Sequence, residues 1–433
     1  MTDPNRGLVE GLLHGLYDLA WYLVGLIGSP LLLLRGRRDP EFRRMVLERL
    51  GRGLRRSAVE SRPRILVHGV SVGEIKSAKS LVECLRRERP DVEIVLSTTT
   101  NTGQAIARQL FPELEVVRFP VDPAPVVARF LGRVRPTAIV LVELEIWPNL
   151  LRGANRRGIP VVVVNGRITD KSFGRYELFR SLFPQFNRIS LFCAQSAVYA
   201  ERFEQLGVVP ERVLVTGNIK FDGLTTSRID PGDERRRVLG AGDGRPVIVA
   251  GSTHDPEELL LVDAWREHVP EARLILVPRH PNRAAGVVAQ LAERGVVGQR
   301  LTALRQGVEE PDPARPAIVD TIGELEAVFG LADVAFVGGS LIPHGGHNVL
   351  EPGAQGLAVV FGPHTDNFVQ EVNLLREAGA CREVPEAAAL GPVLAELCAD
   401  PEQRRRLGAA AQRAIGSQRG ATDLTWRAVE RCC

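Results

Sequence analysis

The sequence predicts an α/β chain of two Rossmann-like, doubly wound domains behind an apolar N-terminal helix. Three observations carry this. Short β-branched runs alternate with helical stretches from residue 62 to about 222, and a second such series starts at residue 247. That alternation is the pattern of βαβ units around a parallel sheet. Glycine-rich or hydroxyl-rich loops follow many of the runs, and open α/β sheets bind ligands at such strand ends. Residues 19–34, LAWYLVGLIGSPLLLL, carry no charge at all.

The chain has 433 residues, too many for one ordinary core. Its hydrophobic share of 44% fits a folded globular protein. A net charge of +3 gives no footprint for nucleic acid as a partner. Six scattered cysteines have neither zinc-type nor redox spacing and read as free thiols in a reducing compartment.

Four segments follow. Residues 1–38 are a membrane anchor with its basic flank. The uncharged run plus its lead-in approaches spanning length, about 20 residues. Glu10, His14 and Asp18 suit a helix lying partly in the interface instead. Residues 35–56 carry nine Arg, which by charge bias stay cytoplasmic. Residues 39–222 form the first domain, with strands expected at 65–70, 92–96, 114–118, 138–142 and 161–164. Helices are expected at 73–87, 103–110, 126–134 and 148–157. Residues 223–244, GLTTSRIDPGDERRRVLGAGDG, read as a linker. Residues 245–433 form the second domain, with strands at 247–250, 274–277, 317–319, 334–337 and 358–361 and a closing helix over 401–431. A ligand is expected between the two domains, at the strand ends of both.

The Gly-rich stretch 338–368 is the organising feature of the second domain. Gly345 and Gly346 permit close backbone approach. Asn348 can cap a helix starting near Val349, with Leu350 and Glu351 in its first turn. That N-terminus would face an anion, unless the loop merely connects two elements. Arg279 and His280 follow the 274–277 strand. Arg279 suits a phosphate, while His280 reads equally as a core histidine. Asp320 to Leu325, which holds Ile322, Gly323 and Glu324, again brings a helix start to a strand end.

In the first domain Glu74 lies in a first helical turn after the 65–70 strand. It reads either as a general base or as a charge complementing the helix dipole. The 97–103 loop, STTTNTG, holds ligand oxygens or caps a helix. Glu143 and Glu145 end one strand and read as chemistry or as salt bridging. Lys220 is one of only four Lys in the chain, the rest of its basic residues being Arg, which suggests a point-charge role. No Walker loop, nucleophile elbow or metal-ligand spacing is present, so no metal and no cofactor are expected.

Several motifs occur together and in order: HGVSVGE (68–74), the 97–103 loop, ELEIWPN (143–149), NGR (165–167), GNIKFD (217–222), PRHP (278–281) and the 338–368 stretch. This set resembles the 3-deoxy-D-manno-octulosonic acid (Kdo) transferases of lipopolysaccharide synthesis, over nearly the whole chain. The resemblance implies a GT-B glycosyltransferase whose two domains face each other across a cleft. It implies inverting, metal-independent transfer of Kdo from CMP-Kdo to the lipid A precursor lipid IVA. The acceptor would bind residues 39–222 and the CMP moiety residues 245–433, at the cytoplasmic face of the inner membrane. By motif position, Glu74 is similar to the family's base, and Glu143 and Lys220 to its transition-state stabilisers. Arg279, His280, Ile322, Gly323, Glu324, Asn348, Val349, Leu350 and Glu351 match its donor-contacting segments. Two departures are His68-Gly69, where Ala often follows the His, and the less typical Leu341 to His344. The competing readings are another membrane-associated GT-B transferase using a UDP-sugar, which should lack the HGVSVGE and ELEIWPN pair, and a GT-B-fold sugar-nucleotide epimerase, which would not need an anchor.

Overall fold

The computed structural model describes residues 4–53, 62–179, 185–228, 230 and 232–432; the side chains of residues 4–10, 171 and 179 lie outside that description. Arg55 and Arg56 of the basic flank, the side chains of Glu10 and Lys171, and Cys433 therefore fall outside it. Cys84, Cys193, Cys381, Cys398 and Cys432 are free thiols.

The chain divides into two compact units, residues 1–223 with 419–433, and residues 224–418. Among the described residues the first holds seven strands: β1 (Arg64–His68), β2 (Glu93–Thr98), β3 (Glu115–Arg118), β4 (Ala138–Val142), β5 (Val161–Gly166), β6 (Leu191–Ala194) and β7 (Val213–Val215). All pair in parallel, in the order β3-β2-β1-β4-β5-β6-β7. The order reverses between β1 and β4. Successive residues of β1 point to opposite faces: Leu66 joins a core with Phe130 and Phe203, while Ile65 and Val67 join another with Ile75 and Leu85. Both faces are covered, which is why these strands read as unbroken apolar runs.

The second unit repeats the plan with β8 (Val247–Thr253), β9 (Arg273–Pro278), β10 (Gln299–Arg300), β11 (Ala317–Ile318), β12 (Val334–Val337), β13 (Ala358–Phe361) and β14 (Cys381–Glu383). They pair in parallel in the order β10-β11-β9-β8-β12-β13-β14, with the reversal between β8 and β12.

Three expectations change. The stretch expected as one closing helix over 401–431 is two: Pro401–Gly416 stays with the second unit, while Ala421–Glu430 joins the first unit and not a 245–433 domain. Helix Ala421–Glu430 buries Trp426, Ala428 and Val429 in the β1 core. Its start is fixed by Asp222, which accepts from Gly420 N at 2.7 Å and Thr422 N at 2.6 Å. The 223–244 linker is also largely structure: Val238, Leu239 and Ala241 are core residues of the second unit. The buried Arg273 guanidinium donates to Leu239 O at 2.6 Å and so pins that segment. The single helix expected at 73–87 is two, Val72–Ser77 and Lys79–Glu88, meeting at Ala78.

The N-terminal helix runs Pro4–Arg38. The stretch Gly11–Arg38 is long and apolar enough to cross a membrane. Its polar residues have structural uses. Tyr17 donates to Asp122 at 3.1 Å, and Asp18 accepts from Ala124 N and from Asn149 Nδ2. The start of the helix thus docks on the first unit through polar contacts. Beyond it Leu26, Ile27, Leu31 and Leu33 stand exposed.

Candidate active site

At the β1/β4 reversal the first unit gathers three carboxylates and one ammonium. After β1 the chain turns at Gly69 into helix Val72–Ser77, with Ser71 at its N-cap. Glu74 does not point away into solvent: its Oε2 accepts from Val70 N at 2.6 Å and its Oε1 from Ser71 Oγ at 3.0 Å. Burial, with a smaller contribution from the Glu143 charge, raises its pKa; the Val70 hydrogen bond and Lys220 oppose that rise. This is the direction a proton acceptor near neutral pH requires.

Glu143 follows β4 with φ 62°, a left-handed conformation that a non-glycine residue rarely adopts. Such backbone strain clusters at functional sites. Its Oε1 lies 2.9 Å from Lys220 Nζ. Lys220 is presented by the short turn Ile219–Phe221, which Asn218 caps by accepting from Lys220 N at 3.0 Å. Asn165, buried at the end of β5, holds the same turn by accepting from Ile219 N at 3.1 Å. The structure therefore brings Glu143 and Lys220 into direct contact and sets Glu74 within their electrostatic reach. Glu145, read with Glu143 as chemistry or salt bridging, belongs here too: burial and the Glu74 charge push it up to about 7.

Other motif residues turn out to be scaffold. His68 is fully buried, accepts or donates at Ser97 and stacks on Phe119 at 3.6 Å. Burial pushes its pKa down to about 3, so it stays neutral. In the hydroxyl-rich loop Thr100 caps helix Asn101–Leu110 by accepting from Gly103 N at 3.0 Å.

At the β8/β12 reversal the second unit is organised by Glu257, which the sequence reading missed. This fully buried carboxylate accepts from His254 N (3.0 Å), Gly339 N (2.7 Å), Ser340 N (3.0 Å) and Leu341 N (3.0 Å). It ties the loop after β8 to the Gly-rich loop after β12. A side chain at Gly338 would strike Ser252 O and the Glu257 carboxylate, so only glycine fits there. An acidic residue in the first turn after one strand, with a Gly-Gly-Ser after another, was the available signal.

Four histidines surround this junction. The His254 ring lies 4.0 Å from His344, 5.1 Å from His347 and 6.2 Å from His280, between centroids. Burial, then the charge of neighbouring groups, pushes His254 and His347 down to about 4. For His347 the foremost of those groups is Arg279. Arg279 and His280, both exposed, follow β9, where Arg279 N donates to Thr253 O. The sequence spacing showed no metal-ligand cluster, but the fold assembles three of these imidazoles from two loops.

The remaining expected residues are arranged more modestly. Asn348 Oδ1 accepts from Leu350 N at 3.1 Å and its Nδ2 donates to Glu351 at 3.2 Å. Val349 is buried at the start of a helix that runs only Leu350–Ala354. Ile322 is 83% exposed in a turn completed by Gly323 at φ 85°. That turn precedes helix Leu325–Phe329 rather than opening it. Glu324 is ion-paired to Arg305 at 2.7 Å and Arg235 at 3.4 Å, which lowers its pKa.

Residues 44–223 match the family profile described as 3-deoxy-D-manno-octulosonic-acid transferase (kdotransferase). The 3-deoxy-D-manno-octulosonic acid transferase of Haemophilus influenzae is 34% identical over 408 residues, covering 92% of this chain and 94% of that one. This chain belongs to the Kdo transferase family. The Bordetella pertussis enzyme of the same description is 32% identical over 442 residues, covering 98% and 99%. Among solved structures, a putative UDP-N-acetylglucosamine 2-epimerase from Listeria monocytogenes superposes with a TM-score of 0.55 at 14% identity, covering 82% of this chain and 94% of that one. Anabaena Alr3699/HepE in complex with UDP and glucose gives 0.54 at 16%, covering 85% and 99%. At such identities these two show the fold alone, which is GT-B. The motifs 68–74, 143–149, 165–167 and 217–222 all fall within the matched 44–223 segment.

Proposed function

We propose that this Kdo transferase moves Kdo from CMP-Kdo to lipid IVA with inversion, with no step routed through a metal ion. The observation that carries the reading is the β1/β4 site: a half-buried, hydrogen-bonded Glu74 beside the Lys220–Glu143 ion pair. Glu74 takes the proton from the 6'-hydroxyl of the acceptor as that oxygen attacks the anomeric carbon of Kdo. The new C–O bond forms as the bond to the CMP phosphate breaks, and CMP leaves with the electron pair. The transition state is oxocarbenium-like. Lys220, held by Glu143, supplies positive charge where the departing group gains negative charge. Arg279, exposed after β9, contacts the donor phosphate.

The bare part of the N-terminal helix supports work at the inner membrane, on the cytoplasmic side where the Arg-rich flank is retained. Its 16 uncharged residues rise about 24 Å, short of the ~30 Å hydrocarbon core. The docked start of the helix then keeps the first unit beside a lipid acceptor.

Equilibrium dialysis of the full chain tests the donor class. CMP should bind, UDP-sugars should not, and Arg279→Ala should weaken CMP by ~10-fold or more. Tighter binding of a UDP-sugar than of CMP would move the reading to another GT-B transferase.

A further inference from the structure

We infer that His254, His344 and His347 form a binding site for one divalent cation of the zinc class. Each offers a ring nitrogen, and these atoms all lie within 4.8 Å of one another. The Nε2 atoms of His254 and His347 are 2.8 Å apart. Tetrahedral zinc with Zn–N near 2.1 Å separates its nitrogens by about 3.4 Å. Small side-chain rotations therefore bring the triad to ligand geometry.

The backbone beneath the three rings is fixed in advance. His254 N is held by Glu257, and Gly346 N donates to Gly339 O at 2.8 Å. Asn367 closes the loop from the other side, donating from N to Gly345 O and from Nδ2 to His344 O, each at 3.0 Å. Gly339, at φ 68°, makes room: a Cβ there would meet the His347 ring at 3.1 Å and the His344 ring at 3.3 Å. The glycine lets two imidazoles close over the same backbone atom.

Ligand type sets the ion. Imidazole nitrogens select zinc, cobalt, nickel or copper over magnesium or calcium. The two neighbouring carboxylates are committed elsewhere. Glu257 is saturated by four N–H groups, and Glu258 pairs with Arg283 at 2.7 Å. The site is thus three histidines with an open position, since His344 is exposed. Water or an anionic oxygen fills that position. Arg279, whose charge reaches His347, opposes a cation and keeps the affinity moderate. The site stands on the histidine geometry alone and is independent of the transfer chemistry proposed above.

Full-length untagged protein, stripped with EDTA and freed of chelator, is titrated with Co²⁺ while the visible d–d absorption is followed. One equivalent should bind and be displaced by Zn²⁺. His344→Gln and His347→Gln should each weaken Co²⁺ by about 10²-fold or more, since loss of a ligand exceeds the 10–100-fold typical of a supporting partner. His364→Gln should not change it. His344 is exposed, so its variant keeps the fold, verified by an unchanged melting temperature. Absence of saturable binding, or full binding by His344→Gln, overturns the site.

Discussion

Replacing Glu74 by Gln removes a proton acceptor and keeps the shape. The Gln oxygen can still accept from Val70 N, which stands 2.6 Å from the present carboxylate. Its amide can donate to Ser71 Oγ, which then turns to accept. Loss of a general base costs typically 10²–10⁴ in rate, so turnover should fall by about 10²-fold or more, equivalent to ~2.7 kcal/mol of barrier. The donor Michaelis constant should stay nearly unchanged. Stability moves the other way. The folded-state pKa of Glu74 is raised, chiefly by burial. Its stabilising contribution is therefore complete below the unfolded pKa, near 4, and is lost as pH rises through the folded value. The Gln variant escapes that loss, so at pH 8 its melting temperature should equal or exceed that of the parent. At pH 4 the gain should vanish. Turnover by radiolabelled Kdo transfer and melting by calorimetry at both pH values provide the two readouts. Near-normal turnover, or a melting temperature well below the parent's at pH 8, would refute the reasoning.

Other perturbations address neighbouring parts of the account. Glu143→Gln deletes a charge that helps raise Glu74, so the acidic limb of the kcat/KM–pH profile should move to lower pH; an unmoved limb would show that the two carboxylates do not interact. Glu257→Gln replaces an acceptor of four N–H bonds with an amide that must turn donors toward donors. It should cost about 1–3 kcal/mol, several degrees in melting temperature, and weaken CMP binding. An unchanged melting temperature would remove Glu257 as the organiser of that junction. Ile27→Glu with Leu31→Glu, at positions 79% and 71% exposed, should release the protein from sedimented membranes, since each charge costs ~2.5–3.5 kcal/mol at depth. Continued sedimentation with membranes would argue against insertion of this helix.

Much of the first site was legible because its residues follow strand ends directly. Glu143 directly follows β4 and Glu74 lies in the first turn of the helix after β1, and the strand order puts those two ends side by side. A parallel sheet turns sequence position into spatial position at such places. What was not legible depends on long-range packing. The Glu257 carboxylate meets the 339–341 amides across some eighty residues, so its first-turn position alone does not say which distant amides it will hold or that it will be fully buried. The histidine cluster has no metal spacing in sequence because its members come from separate loops. Helix Ala421–Glu430 looked like part of the second domain because chain continuity is the default. Its Trp426 face finds its complement only on the first unit. Strands β6, β7, β10 and β14 were not anticipated. They are two to four residues long; β7, β10 and β14 are edge strands, and β7 and β14 lack buried residues. Of the two readings open for the hydroxyl loop, the structure shows the helix cap, and His68 of the first motif is a buried stacking partner.

The most direct single measurement is transfer of labelled Kdo to lipid IVA by the detergent-extracted chain, with CMP-Kdo generated in situ and excess EDTA present. The expected result is a product heavier by one or more Kdo units, formed at an undiminished rate in EDTA. No transfer from CMP-Kdo, or transfer abolished by EDTA and restored by a divalent cation, would contradict the assignment of the chemistry to Glu74, Glu143 and Lys220 alone.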